Sequence, residues 1–86
     1  MADTERLWLV ERTYSDKGLV DLVYATTDGE SYLRKQFSEQ MLTRREVTAA
    51  LEAEPDRLEP TSADERERYA SEATRMADRH DPDDPV

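Results

Sequence analysis

Two glycine-containing turns divide the first 38 residues into three segments, and this division constrains the fold more than any other feature of the sequence. The turns lie at residues 15–18 and 27–30, and they contain Gly18 and Gly29, the only two glycines of the chain. Glycine adopts a positive φ without a steric penalty, and an Asp-Gly pair such as Asp28-Gly29 is a strong hairpin signal. The segments around the turns are rich in β-branched and aromatic residues, which favours strands. The sequence therefore predicts a three-stranded antiparallel meander.

The turns also predict a pairing register. A two-residue loop ending at Gly29 pairs Tyr24 with Leu33, and a bulged turn at residues 15–19 pairs Val10 with Tyr24. Because cross-strand partners share a face of the sheet, the register gathers most large apolar side chains on one face. That face is the predicted core, and its members are Trp8, Val10, Tyr14, Val20, Leu22, Tyr24, Leu33 and Phe37.

The C-terminal half predicts two helices. Residues 43–46 and 62–65 each have the spacing of a capping box, in which a Ser or Thr and a Glu satisfy free backbone N–H groups at a helix start. The first predicted helix runs to about Glu54 and is stopped by Pro55, which cannot continue it. The second runs to about Arg79 with a narrow apolar stripe made mostly of alanine.

The predicted fold class is therefore α+β. It is a three-stranded antiparallel β-meander followed by two α-helices packed on one face of the sheet, in the order β-β-β-α-α. Residues 1–80 are expected to form one domain, because a chain of 86 residues is too short for two. Residues 81–86, rich in Asp and Pro, are expected to be a disordered acidic tail.

Charge and composition indicate a high-salt setting. The formal charge is −9, from 21 acidic and 12 basic side chains, and only Lys17 and Lys35 are lysines. In 1 M salt the Debye length falls to about 3 Å, so a carboxylate-rich surface no longer repels itself over long range. With this composition and no isoleucine, the meander of residues 17–30 resembles small haloarchaeal proteins of unknown function. The resemblance implies no catalytic motif, cofactor or ligand, so no functional residue is carried over.

Several function classes are disfavoured. The chain has no cysteine, no apolar run near the roughly 20 residues of a membrane span and no signal-peptide layout at its N-terminus, so a cytoplasmic protein is expected. His80 is the single histidine and follows the second predicted helix. A positively charged imidazole is stabilising at the C-terminal end of a helix, and this accounts for a histidine there without a metal or catalytic role. We therefore expect no metal, no cofactor and no enzyme activity, and a small enzyme without a recognisable motif stays the least favoured reading.

The second face of the predicted meander is the favoured functional feature. Two helices packed on the opposite face would leave it uncovered, and exposed apolar patches on small domains usually mark partner surfaces. The prediction is a non-catalytic interaction or accessory module, either a homodimer or a partner of another protein. The candidate interface consists of Leu7, Leu9, Val23, Ala25 and Tyr32.

A nucleic-acid-associated regulatory protein is the alternative. The chain has one basic cluster, interleaved with aromatic residues that could stack on bases. The net charge of −9 argues against it, because phosphate contact needs a basic footprint. The residues of this cluster are Arg34, Lys35, Arg44 and Arg45.

Overall fold

The computed structural model describes residues 4–15, 17–38 and 47–86. Within these ranges the chain forms five strands, one α-helix and a 3₁₀ turn at Pro55–Arg57. The regular elements are β1 (Glu5–Tyr14), β2 (Leu19–Ala25), β3 (Ser31–Ser38), β4 (Ala50–Ala53), β5 (Glu59–Pro60) and α1 (Ala63–Arg79).

The strands form a single antiparallel sheet in the order β4-β1-β2-β3-β5. The predicted three-stranded meander followed by two helices is therefore wrong: over the described ranges the protein has a five-stranded sheet and one C-terminal helix. Residues 50–53, predicted as part of the first helix, are β4, in which Leu51 pairs with Leu7 of β1. The capping box predicted at residues 43–46 lies outside the described ranges. The second predicted helix is confirmed as α1.

The meander itself has the predicted turns and most of the predicted register. Gly18 and Gly29 have φ of 75° and 73°, as the turns require. Tyr24 pairs with Leu33, as expected. The pairing of Val10 with Tyr24 is wrong, because β1 has a bulge between Leu9 and Glu11 and Leu9 takes the place opposite Tyr24.

The bulge exchanges the faces of the first half of β1. A bulge inserts one extra residue, so every side chain before it points to the opposite side of the sheet from the one that simple alternation predicts. Trp8 now lies opposite Ala25, on the face that α1 covers with Ala73. The other face is a second buried cluster, formed by Leu7, Leu9, Val20, Leu22, Tyr24 and Ala53.

The connection between the two outer strands bends the sheet around this second cluster. Five strands side by side in a flat sheet would separate the outermost two by roughly 19 Å. Only Glu54–Leu58 join β4 to β5, and the 3₁₀ turn within them advances about 2 Å per residue. The sheet therefore curves, and Leu58 packs against the enclosed cluster.

Residues 81–86, expected to be disordered, are held by the segment that leads into β4. The Ala49 N–H donates to the Asp84 carbonyl over 2.8 Å, and the Val86 N–H donates to the Val47 carbonyl over 2.8 Å. These bonds satisfy backbone groups that would otherwise face solvent beside a sheet edge. The tail is thus part of the folded unit.

Candidate functional site

A cleft of about 310 Å³ opens where β3, β5 and the first turns of α1 meet. It combines two aromatic rings, one cationic side chain and a buried hydroxyl. We call it the tyrosine cleft, and its lining residues are Tyr32, Arg34, Pro60, Thr61, Ser62, Glu65 and Tyr69.

The two tyrosines come from different elements and meet edge to face. Tyr32 lies on β3 opposite Ala25, and Tyr69 lies on α1 with 6% of its surface exposed. Their ring centroids are 6.0 Å apart, with 65° between the planes. A hydrogen bond to the Glu59 carboxylate raises the pKa of Tyr32, and burial raises the pKa of Tyr69. Both phenols are therefore protonated at neutral pH and act as hydrogen-bond donors.

Arg68 fixes the helix against the sheet and is fully engaged. Its Nε donates to Glu65 Oε2 over 2.7 Å, and its Nη1 donates to Glu11 Oε1 of β1 over 3.0 Å. Its guanidinium also lies 5.1 Å from the ring centre of Tyr69. These two carboxylates raise the pKa of Arg68 above its ordinary value. We assign Arg68 to positioning Tyr69 and α1.

Arg34 is the cation left for a ligand. It is exposed on β3, lines the tyrosine cleft and makes no ion pair with any residue that the structure describes. A guanidinium offers several N–H donors in one plane, which suits a carboxylate. The cleft therefore presents an unengaged donor group beside two phenols.

Thr61 contributes a buried polar group to the same wall. It is 5% exposed, and its Oγ1 has no hydrogen-bond partner among the residues that the structure describes. Its backbone N–H donates to the Glu30 carbonyl over 2.9 Å, which fixes the start of α1 on the β2–β3 hairpin. Ser62 begins α1 as predicted, but its side chain makes no capping bond. Leaving a buried hydroxyl unpaired costs about 1–3 kcal/mol.

The outer edge of β3, which is the edge that faces away from β2, extends beyond the tyrosine cleft. The Thr26 N–H donates to the Ser31 carbonyl, so this pair is hydrogen-bonded across β2 and β3. Because hydrogen-bonded and non-bonded pairs alternate in an antiparallel ladder, Lys35 directs its backbone groups toward β2. Arg34 and Gln36 direct theirs away from β2, toward the outer edge.

β5 covers only the beginning of that edge. Its two residues pair with Ser31 and Tyr32. Beyond them, the outward backbone groups of Arg34 and Gln36 have no strand partner in the part of the chain that the structure describes. An unpaired strand edge is a template for pairing with another chain.

The residues of the predicted interface do not share one exposed surface. Leu7 and Leu9 lie in the cluster around Leu22, whereas Val23, Ala25 and Tyr32 lie on the opposite face under Tyr69. The first four are buried within the chain, and Tyr32 is half-buried. The bulge in β1 is the reason for this division, together with α1 covering the face that was expected to be open.

The predicted basic cluster is also divided. Arg34 and Lys35 are neighbours on β3, so their side chains point to opposite faces of the sheet. Arg44 and Arg45 lie outside the described ranges. Of the four residues, the structure places only Arg34 at the cleft.

Sequence reasoning missed the contributions of Thr61 and Tyr69. Tyr69 lies on the apolar side of α1, and no local feature of the sequence indicates that this side meets Tyr32. The signal that could have located the cleft is Thr61 beside Ser62, two hydroxyl residues between a proline and a helix start.

The other depressions and acidic groups of the described chain do not form a site. A larger depression of about 580 Å³ runs along α1, but the described residues that line it all belong to that helix, so it is an open helix surface. No group of three His, Cys, Asp or Glu residues in the described ranges could hold a metal ion. The described part of the chain also has no helix long and apolar enough to cross a membrane.

Comparison with known proteins gives a family but no activity. No curated protein and no solved structure matches the chain. A model of a family of unknown function, DUF7967, matches residues 1–86, so the whole chain is covered. The chain belongs to this family of unknown function.

Proposed function

We propose that the protein is a non-catalytic binding module that recognises a protein partner through the tyrosine cleft and the adjoining edge of β3. The observation that carries the proposal is the pair of outward-facing backbone positions, Arg34 and Gln36, directly beside the cleft. Strand addition uses such an edge for affinity and a neighbouring pocket for specificity.

The groups in the cleft suit binding better than catalysis. A general acid or base needs a pKa near the working pH, whereas the pKa values of Tyr32 and Tyr69 are raised further above neutrality. Arg68 is held by the carboxylates of Glu65 and Glu11. The cleft therefore offers fixed donors rather than a group poised to exchange protons.

Charge in the cleft favours a protein over a nucleic acid. A nucleic acid carries a negative charge on every phosphate, whereas the described lining of the cleft has one guanidinium in a chain of formal charge −9, so it offers no basic footprint. Tyr69 is nearly fully buried and cannot offer its ring for base stacking. Direct nucleic-acid binding stays the alternative that the experiment must exclude.

The proposed setting is the cytoplasm of a haloarchaeon or another salt-accumulating cell. Support comes from the charge of −9, the two lysines and the absence of isoleucine. Screening at molar KCl should relieve repulsion among the carboxylates, so we expect the melting temperature to rise by many degrees between low salt and molar KCl. An unchanged melting temperature would contradict this setting.

A binding screen tests the proposed function. ¹⁵N-labelled protein is titrated with a panel of extended hexapeptides and, separately, with single-stranded DNA and RNA oligonucleotides. We expect amide shifts at Arg34 and Gln36 with peptides and none with oligonucleotides. The proposal fails if no peptide shifts these amides, or if the oligonucleotides shift them more strongly.

A further inference from the structure

Resting on the proposed function, we infer that the edge of β3 binds an extended acidic peptide, antiparallel to β3 and in line with β5, with a carboxylate opposite Arg34. Arg34 and Gln36 each offer an outward N–H and C=O, so up to four backbone hydrogen bonds can form there. The tyrosine cleft then receives the peptide side chain that faces α1.

Over the described residues, the protein's own chain pairs with this edge of β3 only at Ser31 and Tyr32. Upstream of β5, Leu58 turns inward to pack on the cluster around Leu22. Before it, Pro55–Arg57 form a 3₁₀ turn instead of extending the strand. The described chain therefore forms no strand pair on the outer side of Arg34 or Gln36.

Charge selects the peptide. Arg34 and Lys35 are consecutive cations on this edge, in a chain whose formal charge is −9. Neither forms an ion pair with a residue in the described ranges. Side chains directly opposite in an antiparallel pair interact, and opposite charges stabilise the pair. An acidic residue opposite Arg34 would give that guanidinium the ion-pair partner that the described chain does not supply.

The same charges disfavour a second copy of the chain at this edge. Antiparallel pairing of two β3 strands centred on Lys35 would place each lysine opposite its copy. Centring on Arg34 would do the same for arginine. Like charges directly opposite destabilise a strand pair, so the two registers centred on the cations are disfavoured. We assign the edge to an acidic peptide and keep self-association as an outcome of the test.

The probe peptides differ only in charge. The acidic probe is acetyl-Val-Glu-Val-Glu-Val-Thr-amide, and the neutral probe has Gln in place of each Glu. Binding is measured by ¹⁵N–¹H spectra at the lowest KCl concentration that keeps the protein folded by circular dichroism. We expect the acidic peptide to bind wild-type protein about threefold more tightly than the neutral one, the effect of a single exposed cross-strand charge pair.

Two matched substitutions locate the interaction. Arg34→Gln should abolish the preference for the acidic peptide, whereas Lys35→Gln, on the other face of the sheet, should keep it. Gln36→Pro removes an outward N–H and leaves the backbone bonds of the β2–β3 ladder in place, and edge positions of this kind tolerate proline. It also removes the exposed bond that Gln36 Nε2 donates to Asp21 Oδ1 of β2. It should abolish binding of both peptides. If Gln36→Pro fails to fold, acidic peptide N-methylated at alternate residues replaces it and should not bind wild-type protein.

The outcomes separate the two proposals. If both peptides bind equally and Gln36→Pro abolishes binding, strand addition stands and the acidic preference is wrong. If neither peptide binds, both proposals fail. If light scattering shows a concentration-dependent dimer that Gln36→Pro dissociates, the occupant is a second copy and the acidic-peptide inference is overturned.

Discussion

Replacing Gly29 with alanine should weaken the fold more than its position in a hairpin loop suggests. Gly29 is buried, and its backbone approaches α1 closely. A Cβ at this position would overlap the carbonyl oxygen of Arg66 and would lie 2.9 Å from the backbone nitrogen of Ala70. Both are helix backbone atoms, so neither can turn aside as a flexible side chain could.

Two costs add at this position. The φ of Gly29 is 73°, and a residue with a Cβ loses about 1–2 kcal/mol in that left-handed region. Overpacking against a rigid neighbour adds about 1–3 kcal/mol. The expected loss is therefore about 2–5 kcal/mol, against a total stability of roughly 4–13 kcal/mol for a domain of this length.

Urea unfolding followed by Trp8 fluorescence measures the loss. Trp8 is the single tryptophan, 7% exposed and packed against Ala73 of α1, so its signal reports the docking of the helix. Gly18→Ala is the matched control, because Gly18 has nearly the same φ of 75°. We expect Gly29→Ala to be the more destabilised of the two. Equal losses would show that α1 does not press against the hairpin.

Three further changes test other parts of the fold. Deleting residues 81–86 removes the bonds to Val47 and Ala49, and each such bond contributes about 0.5–1.5 kcal/mol, so the urea midpoint should fall; an unchanged midpoint would mean that the tail is not docked. Hydrogen bonds from Thr26 and Glu30 lower the pKa of Asp28 below 3.8, so its contribution is complete above the unfolded-state pKa and is lost as the pH falls through the folded-state pKa. Asp28→Asn should therefore make stability less dependent on pH below about 4, as thermal melts across that range would show. Leu9→Asp and Leu22→Asp should both unfold the domain, as measured by circular dichroism, because both side chains lie in one buried cluster; a folded Leu9→Asp protein would contradict the observed register.

The parts of the fold that were predicted correctly from the sequence depend on signals within a few neighbouring residues. Gly18 and Gly29 set the turns of the meander, and Ser62 marks the start of α1. Each feature is encoded within a few residues, so the neighbouring sequence is enough to identify it. The β2–β3 register followed directly from the second turn.

The parts that were wrong depend on contacts between distant residues. Ala50–Ala53 have high intrinsic helix propensity, yet they form β4 because Leu51 pairs with Leu7, more than 40 positions earlier. β5 has two residues, one of them proline, and carries no pattern from which a strand could be predicted. Tertiary pairing overrides local preference in both strands, and the tyrosine cleft could not be anticipated because β5 forms one of its walls.

The bulge in β1 explains both the failure of the predicted interface and the location of the proposed one. The extra residue at Val10 sends Trp8 under α1 and sends Leu7 and Leu9 into the cluster beneath the β4–β5 connection. Each face of the sheet thereby receives apolar side chains that are buried: α1 packs on one face, and Leu58 packs on the other. Neither face is left as a broad apolar patch. Unpaired groups of the described chain include the outward backbone groups of Arg34 and Gln36 on the edge of β3. Recognition by this protein is therefore expected to depend on hydrogen bonds and on one charge pair, and to be abolished by a single proline at position 36.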